Sequence, residues 1–399
     1  MKKKLGLILV LFFLIFVLSS CGYKPRTTIR IGMASLSTNV NPFLYTTEAE
    51  SDFVSLSYVR LFPTDRLGNT IYDASYTEGK MSLDGETYYS FATMSYSNKI
   101  YTIKIRDDMY SYTGELITTN DVMFDYYVLL DPSLKKVMKN FTGSWQEKLQ
   151  SLPITGYSEY VETITAPDKE VSQEEKSAAY IEGIIEDQVN HTITIKTDRV
   201  LTEEEKALLN IYVAPVKQYT DSTSYSVLNH IYGFKKGDVS KIPFTGSLTL
   251  DSTGPFILKN YSYNEFNYDK NSVYDLTSVK PKKLRFMLIT GEVRDEDNYV
   301  TSGGSIYYQI YKSWMDFGVV NPQTIESQEA ELLECSRYNF NDTETGNCIS
   351  TVMYKDKGYN MDDSLGFMVY STKRVSKEAV DSFYISEHYS FIRELTKIK

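Results

Sequence analysis

Apolar and polar residues alternate along several short stretches of the chain, and this alternation predicts its strands. Ile29-Arg30-Ile31-Gly32-Met33 reads as one strand. Lys99–Ile105 (KIYTIKI) alternates strictly, with Tyr101, Ile103 and Ile105 on a half-buried face and Ile100 and Thr102 on the other. His191–Thr197 (HTITIKT) and Lys283–Ile289 follow the same rule, and polar neighbours place His191 at the surface. Helices announce themselves by their caps. Thr118 with Asp121 forms a capping box, and Val122, Met123, Tyr126, Tyr127 and Leu130 then recur at helical spacing until Asp131-Pro132 stops the helix. Ser172–Glu175 and Thr202–Glu205 repeat the box, and Ser376–Leu395 is amphipathic, with Val380, Phe383, Tyr384 and Phe391 inward. Tyr72–Met94 lacks a helical period and predicts hairpins or loops. Asp251–Phe256 (DSTGPF) predicts a domain crossing or hinge, because Gly254 permits a special backbone angle and Pro255 fixes the next one.

The first twenty residues follow a different rule. Lys2, Lys3 and Lys4 precede a 14-residue apolar run, Leu5–Leu18, which fits a signal peptide and is short for a membrane span of about 20 residues. Leu18-Ser19-Ser20-Cys21-Gly22 is similar to the lipobox of bacterial lipoproteins, so Cys21 is the expected lipidation site and 1–20 the cleaved signal. Residues 21–28 then form a tether to the bilayer, and the protein is expected on the outer face of the cytoplasmic membrane. Because the signal carries three lysines and no other charge, its loss takes the formal charge from −10 to −13 over 379 residues.

Composition narrows the function classes. The 399 residues allow two or three domains, and an acidic chain is a poor nucleic-acid binder. Three cysteines rule out a cysteine-stapled array, and the histidines (His191, His230, His388) are scattered, so no metal site and no cofactor is expected. Cys335 and Cys348 would close a short polar loop as a disulfide; two free thiols are the other reading. No nucleophile elbow, phosphate loop, dinucleotide fingerprint or paired carboxylate spacing is present, so no catalytic residue is expected. The 34 tyrosines offer stiff faces for binding, although compositional drift explains most of them equally well.

Tyr101-Thr102-Ile103-Lys104-Ile105-Arg106-Asp107-Asp108, leading through Gly114-Glu115-Leu116 to Thr118-Thr119-Asn120-Asp121-Val122, resembles the signature of ABC-importer solute-binding proteins of the oligopeptide/dipeptide/nickel type (family 5). Asn41-Pro42, Gly156–Tyr160, Asn190–Ile195, Ser252-Thr253-Gly254-Pro255-Phe256 and Asn271–Tyr274 fall in the family's order. Asp108-Met109, Asn41 and Asp275 depart from its pattern. The resemblance implies a periplasmic-binding-protein-like α/β fold of two lobes with mixed sheets. A first lobe is expected over 29–255, with an inserted subdomain at about 63–150, and a partial second lobe over 256–399. Leu365–Val375 resembles a strand that in the family precedes more chain than the 24 residues present here, so the second lobe is expected to be incomplete.

The resemblance also implies the mechanism and the partners. Two lobes close over an oligopeptide held largely by its backbone, and the complex docks on ABC permease subunits. Ser37, Thr38 and Asn39, after the first strand, match a ligand-facing segment of the family; a plain polar loop is the alternative reading. The leading expectation is a lipid-anchored, non-enzymatic oligopeptide-binding protein. The alternative is a shortened, non-transporting paralogue acting as a surface scaffold lipoprotein.

Overall fold

A computed structural model describes residues 28–33, 36, 39–63, 70–72, 76–77, 80–83, 86–220, 225–244, 251–262, 264–274, 282–288, 293–297, 300–302, 317–320, 340–341, 348–353 and 367–371. The expected helix at Ser376–Leu395 lies outside them, as do Cys21, Ser37, Thr38 and Cys335.

Strand β1 (Thr28–Met33) and helix α1 (Glu48–Ser57) open the chain. The stretch without helical period holds an antiparallel meander of β2 (Tyr76–Thr77), β3 (Lys80–Leu83) and β4 (Glu86–Tyr89), followed by β5 (Ala92–Ser97). Then come β6 (Ile100–Ile105), α2 (Thr119–Leu130), α3 (Trp145–Gln150), α4 (Tyr157–Thr165) and α5 (Gln173–Ala178). Strands β7 (Ile184–Asp187) and β8 (Thr192–Lys196) close a four-stranded antiparallel sheet in the order β5-β6-β8-β7. Helix α6 (Glu203–Ala207) and the hairpin β9 (Tyr225–Ser226) and β10 (Ile231–Tyr232) precede the Asp251–Phe256 segment.

After that segment, β11 (Phe256–Ser262), β12 (Glu265–Lys270) and β13 (Lys283–Leu288) form an antiparallel meander. The pair β14 (Val293–Arg294) and β15 (Val300–Ser302) stands apart. Strands β16 (Phe317–Val320), β17 (Phe340–Asn341), β18 (Cys348–Met353) and β19 (Phe367–Ser371) complete an eight-stranded sheet, β11-β12-β13-β1-β16-β19-β18-β17. Strand β1 runs parallel to both β13 and β16, so the first strand shares a sheet with the strands that follow Pro255. Cys348 opens β18 opposite Asn341.

The alternation in β6 does what it predicts. Tyr101, Ile103 and Ile105 are buried and Ile100 is exposed, and Tyr101 and Ile103 face Ile195 and Ile193 of β8. The capping box of α2 is also in place, with Thr118 accepting from the first turn and Asp121 reaching back. The helix differs from its predicted stripe in being buried around its whole circumference, since the four-stranded sheet, α3, β10 and the 3-10 turn Val216–Gln218 all pack on it. Among the described residues, six tyrosines (58, 101, 126, 127, 160 and 268) are fully buried. Tyr101 and Tyr127 accept the Leu201 and Ile181 N–H groups through their hydroxyls, and Tyr126 donates to Leu209 O. Tyr101, Tyr126 and Tyr127 are thus core, with polar tips serving backbone.

Candidate functional site

The loop after β1 is shaped by its own side chains. Asn39 Nδ2 donates to Leu44 O at 2.6 Å, and Asn41 Oδ1 accepts the Phe43 N–H at 2.9 Å, an Asx turn that leads into Pro42. Glu50, in the first turn of α1, takes the Thr46 N–H at 2.6 Å and the Thr47 N–H at 3.3 Å, while Thr47 caps the helix. Of the expected ligand-facing trio, the described residue Asn39 therefore acts as a builder of the loop.

Beneath this loop lies an aromatic floor. Phe43 meets Tyr219 edge-on at 5.1 Å, and Tyr45 stacks on Trp145 at 5.2 Å and meets Tyr212 edge-on at 5.4 Å. The Arg60 guanidinium lies 4.4 Å from the Tyr212 ring centroid and donates to Asn210 O and Ser51 Oγ, both at 3.1 Å. Gln146 fixes the loop to α3 by donating to Phe43 O at 3.0 Å and Tyr45 O at 2.7 Å. Replacing Gln146 by Ala leaves two buried carbonyls without their donor, and we expect a stability loss of about 1–3 kcal/mol. Urea unfolding checks this; a loss under about 0.5 kcal/mol would show that the clamp contributes nothing.

The Ser-Thr-Gly-Pro-Phe motif leads into β11, and every residue from Asp251 to Pro255 has a partner on another segment. The Asp251 carboxylate takes both the Thr113 N–H (2.9 Å) and its hydroxyl (2.7 Å), fastening the turn between β6 and α2. Ser252 Oγ lies 2.6 Å from Ser57 O, at the end of α1. Thr253 donates to Val213 O at 2.7 Å and accepts from the Val59 N–H at 3.2 Å, joining two extended segments. Asn271 Nδ2 donates to Gly254 O at 2.9 Å, and the Asn271 N–H donates to Pro255 O at 2.8 Å. Gly254 is not among the positive-φ glycines, so the special backbone angle expected of it is absent. What it supplies is closeness: a Cβ there would sit 2.6 Å from the Ser57 carbonyl carbon and 2.7 Å from the Tyr58 nitrogen.

The electrostatics of this region are those of buried acids. Burial pushes the carboxyls of Asp121, Asp125 and Asp131 up from the usual range, and for Asp125 far up. Asp121 and Asp125 each accept one N–H from the segment beyond the floor, from Val216 at 2.8 Å and Ala214 at 3.0 Å. Burial raises Tyr58, which accepts from Gln218 Nε2 at 3.3 Å, to about 12. Lys236 is buried among the carbonyls of Ser177, Ala179 and His230, and burial pulls it down to about 7. All these groups hold segments together. Among the described residues no cluster of three or more His, Cys, Asp or Glu can hold a metal ion, and no helix is long and apolar enough to cross a membrane.

The structure thus places Asn39 in the loop after β1 and Gly254-Pro255 beside the end of α1. Gln146, Asp251, Thr253 and Asn271 carry the contacts, and sequence reasoning gave them no role. Asp251, Thr253 and Asn271 stand within recognised motifs; Gln146 has no signal of its own.

No known protein-family profile matches the sequence, and no curated protein matches it. Solved structures do. Haemophilus influenzae OppA in complex with RPPGFSPFR aligns with 84% of this chain and 53% of its own at 13% identity and a TM-score of 0.50. Listeria monocytogenes OppA bound to peptide aligns over 82% and 50% of the two chains, at 14% identity and TM-score 0.49. The Escherichia coli murein tripeptide binding protein MppA aligns over 77% and 48%, at 15% identity and TM-score 0.49. The chain therefore has the mixed α/β fold of an oligopeptide-type ABC substrate-binding protein. It spans about half the length of the solved structures it matches.

Proposed function

We propose that this chain is an extracytoplasmic solute-binding protein, anchored by lipid at Cys21, that captures oligopeptides and passes them to the permease subunits of an ABC importer. The observation that carries this reading is the fold shared with Haemophilus influenzae OppA in complex with RPPGFSPFR; the ordered motifs and the lipobox agree with it. Peptide binding would draw its energy from backbone hydrogen bonds and from closure of the lobes, shifting a pre-existing open–closed equilibrium.

Trp145 reports on the loop directly. With Trp314, the other tryptophan, replaced by Phe, a mixed short-peptide pool should change the emission of Trp145, which stacks on Tyr45. Labelled palmitate should enter the wild type and not Cys21→Ser. Binding without lipid incorporation would remove the anchor from the proposal. Lipid incorporation without any peptide binding would favour a scaffold lipoprotein instead.

A further inference from the structure

Two adjoining segments gather exposed lysines on one part of the surface. The 3-10 turn Pro132–Lys136 carries Lys135 and Lys136, and Lys139 follows it. A second 3-10 turn, Val239–Lys241, packs against the first and brings Lys241, with Lys235 just before it. The pairing is fixed by the Gly237 N–H donating to Asp131 Oδ2 at 2.6 Å and the Val239 N–H donating to Ser133 Oγ at 3.0 Å.

Three acids lie near these lysines and offset part of their charge: Asp131 beside Lys136, Asp238 beside Lys235 and Lys241, and Asp168 beside Lys235. Asp131 is buried and bonded to Ser133 and Gly237, Asp238 accepts the Ser240 hydroxyl at 2.5 Å, and Asp168 is paired with Lys176 at 2.5 Å. No ion pair involves any of the five lysines among the described residues. In a chain of formal charge −10, the five lysines outnumber these three acids.

We propose that this lysine face rests on the anionic surface of the bilayer to which Cys21 would tether the chain; the proposal builds on the lipid-anchor reading. Cys21 is seven residues before Thr28, a reach of at most about 25 Å. An acidic body held that close to an anionic surface is repelled unless it turns a basic face toward it. The residue type also points to lipid. All five cations are lysines, compact hydrated point charges suited to a diffuse negative surface, whereas the forked pairing of a carboxylate on a protein partner favours arginine.

The test uses the unlipidated mature body, residues 22–399, in sedimentation with vesicles. At low salt it should bind phosphatidylcholine vesicles containing about 30% phosphatidylglycerol and ignore pure phosphatidylcholine. Binding should vanish at about 0.5 M NaCl. Replacing Lys135, Lys136 and Lys139 together by Glu should weaken it about tenfold or more, and by Gln less. The same change at Lys99, Lys104 and Lys196, on the four-stranded sheet and its turn, should leave it unaltered; far-ultraviolet circular dichroism verifies the fold of each variant. Equal binding to both vesicle types, no binding at low salt, or full binding by the Glu variant would overturn the proposal. Binding only to vesicles carrying the permease subunits would overturn it in favour of a protein partner. The protein tested lacks the lipid, so these outcomes are independent of palmitate labelling at Cys21.

Discussion

Replacing Gly254 by Ala should cost the protein about 3 kcal/mol or more, at the upper end of what overpacking does. The methyl group would meet the Ser57 carbonyl carbon at 2.6 Å, the Tyr58 nitrogen at 2.7 Å and the Leu56 oxygen at 2.8 Å. All three are backbone atoms at the end of α1, so no side chain can rotate away. Nor can the Asp251–Pro255 segment shift freely. The Gly254 N–H donates to Ser57 O at 2.9 Å, and Thr253 and Asn271 hold either side. Pro255→Ala is the contrasting variant: Pro255 contributes its carbonyl to Asn271, which Ala keeps, and the expected loss is under about 1 kcal/mol. Urea midpoints of both variants decide the matter. If Gly254→Ala lies within about 0.5 kcal/mol of the wild type, close approach is not what the motif provides.

The second large effect is a pH dependence set by Asp125. Its side chain is fully buried, Oδ2 accepts the Ala214 N–H, and Oδ1 has no hydrogen-bond partner. Burial is the main cause of its raised pKa, and the nearby Asp121 adds to it. The folded protein then holds a proton on Asp125 that the unfolded chain releases above the ordinary carboxylate range. Stability should therefore fall as pH rises above about 4, by up to about 1.4 kcal/mol per unit for this one proton. His230 and Lys236, both pulled down by burial, act with the opposite sign. The difference between wild type and Asp125→Asn isolates the group, because the amide keeps its shape and cannot ionise. Wild type should lose stability relative to Asp125→Asn between pH 5 and pH 8, measured by urea unfolding; a constant difference would contradict the assignment. Asp125→Ala instead strips the Ala214 N–H of its acceptor and should cost about 1–3 kcal/mol.

What the sequence made legible was local. Strict alternation defined β6 and β8, and three capping boxes marked helix starts that the structure keeps at Thr118, Ser172 and Thr202. These signals act over two to four residues, so no distant contact can disguise them. The pairing of β1 with β13 was not legible, because a parallel pair joins residues more than 250 positions apart and alternation names no partner. The stripe read in α2 was only part of its buried surface, since polar Asp121 and Asp125 are also inward, each bonded to a distant N–H.

Site residues were legible only as motifs. Gly254 was found for a dihedral reason that the structure replaces with a steric one. Asn39 matches a ligand-facing segment of the family by position, and in the structure it donates to Leu44 O within its own loop. Gln146 lies more than 100 residues from the carbonyls it serves, which explains why nothing in its neighbourhood marked it.

The central claim is that this chain captures peptides, and calorimetric titration of the mature protein with a mixed pool of short peptides tests it most directly. The account predicts saturable heat with a dissociation constant on the order of micromolar, about −8 kcal/mol, and peptides recovered uncleaved. Absence of heat from a folded protein across the pool, or peptides returned cleaved, would contradict it.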